Sequence, residues 1–339
     1  MYYNSIKIPI ILEIGHNILK SIDSILRTNN LFFNNKVLIT SKDIYNQYCS
    51  FFDDSEYNKI IEINGGDYKD IEYLQFCEIK YDSILIAFGG GSIIDVVKLF
   101  ANKTNLPYIT IPSTLSNDAI YSPVSRLKVN NKKESYGVVP PVGIIADIEI
   151  IKNSPKILLL SGVGDLVSNI SALKDWNLSH SATGEKVNAF ASILSSTAAT
   201  SILSFNKYDI KSDRFITALI NGLIISGLSM IISSNTRPAS GAEHLISHSI
   251  DEYYPEKSTF HGIQVAWGQL LLEKYFRNND KDYRFLKEYF INIGLYELFE
   301  DRIRFSPFEV NNILQKALLI RNRYTILNKR NIVLSNVEV

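Results

Sequence analysis

The chain has little cysteine: among its 339 residues only Cys49 and Cys77 carry thiols, far apart and outside any CxxC spacing. A disulfide framework and a thiolate metal knuckle are thereby excluded. The usage suits a reducing compartment, a single bridge being the lesser alternative. Net charge is absent too, with 35 basic against 35 acidic residues, so the basic excess of a nucleic-acid binder is missing and no such partner is expected. No run of eighteen apolar residues occurs. The strongest candidate, 215–234, is interrupted by Thr217, Asn221 and several serines and glycines, and it reads as a buried core helix, so no membrane insertion is expected. The first fifteen residues hold an apolar stretch broken by Glu13, with no basic region or cleavage site. They do not read as a secretory signal, and a cytoplasmic protein is expected. The chain also lacks internal repeats, low-complexity tracts, a GxGxxG fingerprint and an HExxH pair.

What is present is the composition of a folded protein, 46% hydrophobic and 21% charged, in a chain long enough for one large domain or two ordinary ones. Residues 36–40 (KVLIT), 59–63 (KIIEI), 83–88 (SILIAF) and 107–111 (PYITI) are short apolar, β-branched runs. Segments of helical length such as 92–102 separate them. Strands alternating with helices predict a mostly parallel sheet with right-handed crossovers. After about residue 150 the pattern becomes helical, over 155–180, 188–204, 213–233, 241–251 and 262–276, and on to about 329. The expected division is an α/β domain of 1–152 and an all-helical domain of 153–339.

The segment SILIAFGGGSIIDVVKLFA reads as strand, glycine turn and helix. Gly89, Gly90 and Gly91 let the backbone approach a phosphate, and the helix start offers unpaired N–H groups to a pyrophosphate. Asp95 is expected in the first helical turn, where the dipole favours a carboxylate. A tight strand-to-helix turn without a ligand accounts equally well for the triplet. The next strand runs into Pro112-Ser113-Thr114-Leu115-Ser116-Asn117-Asp118, at the strand end where open α/β sheets collect ligands; an ordinary helix-capping loop is the plainer explanation. After KVLIT come Lys42 and Asp43, one suited to a 2′-phosphate and the other to ribose hydroxyls, so NAD and NADP both remain open.

Asp165 follows Gly162 and Gly164 inside an apolar helical segment. His244 and His248 stand four apart, on one helix face, and His261 follows before the next helix. Three of the five histidines therefore fall within eighteen residues; His16 and His180 stand alone. One carboxylate with two imidazoles suits a divalent metal, zinc first, with nickel or iron as alternatives. A helix pair with satisfied hydrogen bonds explains the four-residue histidine spacing as well, so spacing alone does not establish a metal.

Taken in order, 89–98 (GGGSIIDVVK), 112–123 (PSTLSNDAIYSP), 143–148 (GIIADI), 161–169 (SGVGDLVSN), 240–251 (SGAEHLISHSID) and His261-Gly262 resemble the glycerol-1-phosphate dehydrogenases, within the dehydroquinate synthase-like and iron-containing alcohol dehydrogenases. The resemblance covers the architecture of nearly the whole chain. It implies a dehydroquinate synthase-like fold: an N-terminal Rossmann-like domain with a parallel sheet, an all-α C-terminal domain, and an active site in the cleft between them. It implies Asp165, His244 and His261 as metal ligands, and Asp118, Asp165 and His248 at the substrate. It places Gly89, Gly90, Gly91, Ser92, Ile93, Ser113, Ser116 and Ser122 at the nucleotide. Ala119 stands where these enzymes usually have glycine, and Ser113-Thr114-Leu115-Ser116 replaces the commoner Thr-Ala-Ala-Ser.

The activity implied is reduction of dihydroxyacetone phosphate to sn-glycerol 1-phosphate with NAD or NADP, by a homodimer or larger homo-oligomer acting on a small phosphorylated substrate. The rivals are a dehydrogenase for another polyol or sugar phosphate, a dehydroquinate synthase-like cyclase that recycles bound NAD, and a nucleotide-binding regulatory protein without activity.

Overall fold

The computed structural model describes residues 8–130, 132–329 and 334. The backbone divides into two compact units after Pro155, three residues beyond the expected boundary. The shift has a packing cause: the short helix Ile148–Asn153 buries Ile148, Ile150 and Ile151, and Ile150 belongs to the core of the first unit.

The first unit holds strands β1 (Ile11–Gly15), β2 (Asn35–Thr40), β3 (Lys59–Glu62), β4 (Ser83–Gly89), β5 (Tyr108–Pro112), β6 (Val124–Val129), β7 (Lys132–Gly137) and β8 (Gly143–Asp147). Six form one sheet in the order β1-β8-β5-β4-β2-β3, every neighbouring pair parallel. Strands β4, β5 and β8 are buried along their whole length, which is why their sequences run apolar without alternating. Each fully buried Ile or Leu of such a strand contributes about 1.5–3 kcal/mol. Phe88 ends β4 in an edge-to-face contact with Phe52, centroids 4.8 Å apart.

The four expected strands are present with their ends moved by about a residue. Two sheet strands escaped the sequence reading. β1 is an edge strand with Glu13 exposed at its middle, and β8 was read only as a motif. The antiparallel hairpin β6–β7 escaped as well, because β7 (KKESYG) is almost wholly exposed and carries no hydrophobic alternation.

From β2 the chain moves outward to β3, and from β4 it moves the other way to β5. The direction of winding reverses between β2 and β4, so their carboxyl ends flank the crevice where doubly wound sheets take ligands. At one lies Ser41-Lys42-Asp43, at the other the glycine turn.

The described part of the second unit is helical. The single helix expected over 155–180 is two, Lys156–Val167 and Asn169–Thr183. The interruption is Ser168, whose hydroxyl donates to the Asp165 carbonyl at 2.6 Å and competes with the helical ladder. The helix Asp213–Ser233 has the expected bounds. Ala189–Thr200, Ala242–Tyr253 and His261–Leu271 are close to theirs, the last continuing as a wider π turn, Leu272–Arg277. Two stretches are long and apolar enough to cross a bilayer, Lys156–Thr183 and Asp213–Ser233, but 72% and 61% of their most apolar spans are buried in the structure. Their apolar faces serve as core.

Candidate functional site

Asp165, His244 and His261 come from three helices of the second unit, and their ligand atoms all lie within 4.8 Å of one another. The His244 Nε2 is 3.5 Å and the His261 Nε2 3.7 Å from the same Asp165 oxygen. Asp165 and His244 are buried, and His261 is partly exposed. Glycine makes this convergence possible. A Cβ on Gly262 would overlap the Ser161 carbonyl, and one on Gly164 the Gly262 carbonyl. The helices Lys156–Val167 and His261–Leu271 therefore meet backbone to backbone, tied by the Gly262 N–H donating to Ser161 Oγ at 3.1 Å. This contact sets Asp165 beside His261.

The surrounding hydrogen bonds decide which nitrogen of each ring faces the cluster. Ser247 Oγ donates to Gln264 Oε1 at 3.1 Å and lies 2.9 Å from His261 Nδ1. With its one proton committed, the hydroxyl accepts from His261 Nδ1–H. His244 Nδ1 lies 2.9 Å from Glu243 Oε1, a carboxylate with no proton to give, so Nδ1 is the donor here as well. Both Nε2 atoms therefore face Asp165. One carboxylate oxygen and two Nε2 atoms facing one point form the donor set of a divalent cation once the imidazoles are neutral, each ring oriented through its second nitrogen. Burial pulls the His244 pKa down, but the Asp165 and Glu243 carboxylates outweigh it and raise it to about 9. A bound cation would displace that proton. Glu243 is wholly buried, and the neighbouring imidazole holds its carboxyl below the usual range against the opposing effect of burial.

His248 stands beside the cluster, its ring 5.8 Å from that of His261 and nearly parallel, and 6.3 Å from that of His244. His16 lies 2.7 Å from Glu149, and His180 Nδ1 lies 2.8 Å from the Glu185 carbonyl; both are exposed. Neither belongs to the cluster.

In the first unit, the helix Gly91–Thr104 begins at Gly90, which offers no side-chain cap to its first N–H groups. The end of β5 is fastened to this turn by Ser113 N–H donating to the Gly89 carbonyl at 3.0 Å. Gly65 and Gly66 adopt φ +84° and +80°, a conformation natural to glycine. They pack over the helix start, with Gly66 N–H donating to the Ser92 carbonyl at 3.0 Å. Asp70 holds that loop by accepting from the N–H groups of Asn64 and Gly65. Beside it, at the carboxyl ends of β2 and β3, lies a cavity of about 720 Å³ lined by Ser41, Lys42, Asp43, Glu62, Asn64 and Lys69, among others.

Of the other residues read from sequence, Ser92 is exposed and Ile93 buried; Ser116 and Asp118 are half-buried. Asp118 opens a single 3-10 turn, Asp118–Ile120. Ala119 is buried, and its methyl fills the space over Gly91. Ser122 is buried and accepts from Lys98 Nζ at 3.1 Å.

The placement of Asp95 is corrected. No acidic residue lies in the first turn, because the helix starts at Gly91 and Asp95 falls one turn further in. Its side chain is 14% exposed, lies 3.4 Å from Lys98 Nζ and accepts from Arg126 N–H at 3.2 Å. Burial raises its pKa, and burial lowers that of the wholly enclosed Lys98. This buried pair joins the glycine-turn helix to β6.

Sequence reasoning missed Lys98, Glu243, Ser247 and Gln264 as supports. The only signals for them were the three-residue spacing of Asp95 and Lys98 and the acid directly before His244.

Residues 13–155 match the family model for iron-containing alcohol dehydrogenases. The chain is 40% identical over 256 residues to a glycerol-1-phosphate dehydrogenase [NAD(P)+] from Pyrococcus horikoshii, covering 75% of this chain and 72% of that one. It is 34% identical over 317 residues to one from Methanococcus maripaludis, with 88% of each chain covered. Among solved structures, a glycerol dehydrogenase from Schizosaccharomyces pombe superposes with a TM-score of 0.75 at 18% identity, over 94% of this chain and 84% of that one. An iron-containing alcohol dehydrogenase from Corynebacterium glutamicum gives 0.74 at 15%, over 98% and 93%. At those identities the likeness is one of fold.

Proposed function

The chain belongs to the glycerol-1-phosphate dehydrogenase family, and from that premise we propose that it interconverts dihydroxyacetone phosphate and sn-glycerol 1-phosphate with NAD(P). The observation that carries the reading is the meeting of Asp165, His244 and His261, with both Nε2 atoms facing the same carboxylate oxygen. These three residues would hold a divalent metal, zinc first, with nickel or iron also compatible with the donors. When bound, such an ion supplies Lewis acidity at a carbonyl or alcohol oxygen, and the nicotinamide supplies or accepts the hydride.

The chain's own residues have separate tasks. Glu243 and Ser247 fix the two imidazoles in the ligating tautomer. The uncapped start of Gly91–Thr104 offers N–H groups to the pyrophosphate of the dinucleotide, with Ser113 tied to the turn through Gly89, and Ser116 is assigned to the same nucleotide. The cavity with Lys42 and Asp43 takes the ribose end. Asp118 and His248 are assigned to the substrate, with His248 orienting or protonating the product oxygen. Assembly as a homodimer or larger oligomer in the cytoplasm is part of the same proposal.

The test is metal analysis of the wild type and of His261→Ala, with dihydroxyacetone phosphate reduction measured on both. The wild type should carry roughly one divalent ion per chain, and the variant should lose both ion and activity. Activity that survives loss of the metal refutes the assignment.

A further inference from the structure

The helix Ala189–Thr200 inverts the usual amphipathic pattern. It buries the small residues Ala191, Ser195, Ala198 and Ala199, whereas Phe190 and Ile193 are 55% and 63% exposed. A surface helix ordinarily turns its large apolar groups inward and its charges outward. The other exposed positions here are Ala189, Ser196, Thr197 and Thr200, and none is charged.

Its neighbour in the same unit, Asp213–Ser233, runs the opposite way. At one end Asn188 Nδ2 donates to the Ile232 carbonyl at 3.5 Å. At the other, the Ala198 carbonyl and Ser201 Oγ lie 3.4 and 3.2 Å from where a Cβ on Gly222 would stand. The part of Asp213–Ser233 that the core leaves uncovered is a single stripe. Ala218, Asn221, Ile225, Leu228 and Ile232 are half-buried, with Thr217 and Ile231 flanking the ends. Their spacing is three, four, three and four, the 3.5-residue repeat of a helix seam. Across both helices the charges are missing: 187–206 and 215–236 hold no acidic or basic residue, in a chain that is 21% charged.

These features fit a second copy of the chain. A two-fold contact sets one patch against itself, so a charged face would meet like charge, and this face meets none. Asn221 is the one amide in an otherwise apolar stripe, a device that fixes the register of paired helices. Helices of 12 and 21 residues are about 18 and 31 Å long and about 10 Å across. They present about 500 Å² per copy, and the pair of copies reaches the roughly 1,000 Å² that a specific interface needs. A lipid surface fits less well, because helices that lie on membranes carry lysine and arginine beside their apolar face.

We propose that this face docks a second copy of the chain, the two Asp213–Ser233 helices packing along the stripe about a two-fold axis. The proposal rests on the assembly part of the functional reading for the identity of the partner; the surface itself rests on the residues named.

The experiment is sedimentation of the full chain with Ile193→Glu, Ile225→Lys, Ile225→Glu and, as a control, Phe308→Glu, which alters a residue 80% exposed outside this face. The wild type and the control should sediment as a dimer or an even multiple. Ile193→Glu, at a position open to solvent in the single chain, should keep its helical circular dichroism and run at half the wild-type mass, its dissociation constant raised at least about a hundredfold. Ile225→Lys and Ile225→Glu should each do the same, and mixing the two in equal amounts should restore the dimer. A monomeric wild type overturns the proposal, as does assembly that survives Ile193→Glu and Ile225→Lys. Flotation of a monomeric wild type with anionic phospholipid vesicles, abolished by Ile193→Glu, would assign the face to a membrane instead. Dihydroxyacetone phosphate reduction, measured on the same samples, separates the two readings: a wild type that assembles through this face without activity sinks the dehydrogenase and leaves the surface standing.

Discussion

Each imidazole of the cluster has one nitrogen committed to a neighbour, His244 to Glu243 and His261 to Ser247. That commitment prepares two histidines as ligands, because an imidazole free to exchange tautomers can present a proton in place of a lone pair. Ser247 is the gentler place to test it, since its hydroxyl is wholly buried between His261 and Gln264. Ser247→Ala should weaken metal binding by about tenfold or more while leaving the helical circular dichroism intact; a competition titration with a chelator measures the affinity. Unchanged affinity would show that Ser247 does not set the tautomer. The acid before His244 was legible in the sequence as a residue but not as a support, because nothing local says which way a buried glutamate turns.

At the scale of elements, the deciding feature is the crossing of Lys156–Val167 with His261–Leu271. Small residues at Ser161, Gly164 and Gly262 let the two backbones touch, and the close approach brings a carboxylate on one helix to a histidine at the first position of the other. Gly262→Ala cannot be accommodated without moving a helix. It should cost roughly 3 kcal/mol, lower the melting midpoint by about 10 °C and reduce bound metal together with stability. Thermal unfolding with metal analysis on the same preparation checks both, and a variant that keeps the wild-type midpoint would mean the helices are not in backbone contact. The glycine turn of the first unit shows the same economy: its elements were readable from SILIAFGGGSIIDVVK, but the helix began at Gly91, and that one shift moved Asp95 from the mouth of the turn to a buried pair with Lys98.

Across the whole molecule, the metal ligands all belong to the second unit, whereas the glycine turn belongs to the first. A ligand that binds only the folded form stabilises by about 2.7 kcal/mol at a hundredfold excess over its dissociation constant. Removing the metal with a chelator should therefore lower the melting midpoint of the wild type by several degrees, reversibly on adding the ion back. The same treatment should leave His261→Ala unmoved. An equal response in both proteins, followed by differential scanning calorimetry, would place the ion elsewhere than on these ligands.

Much was decided by the sequence alone. Alternating apolar runs and helical stretches, then helices only, follow from local periodicity and from the β-branched composition of the strands, so four strands, the turn to Gly91–Thr104 and the long Asp213–Ser233 helix were readable in advance. The chemical types at Asp165, His244 and His261 were equally visible. Tertiary structure alone decided that those three meet, which nitrogens face inward, and where β1 and β8 pair. The reason is range. Periodicity and propensity act over a few residues, whereas these features depend on contacts between segments about a hundred residues apart, set by which helices can approach closely enough to touch.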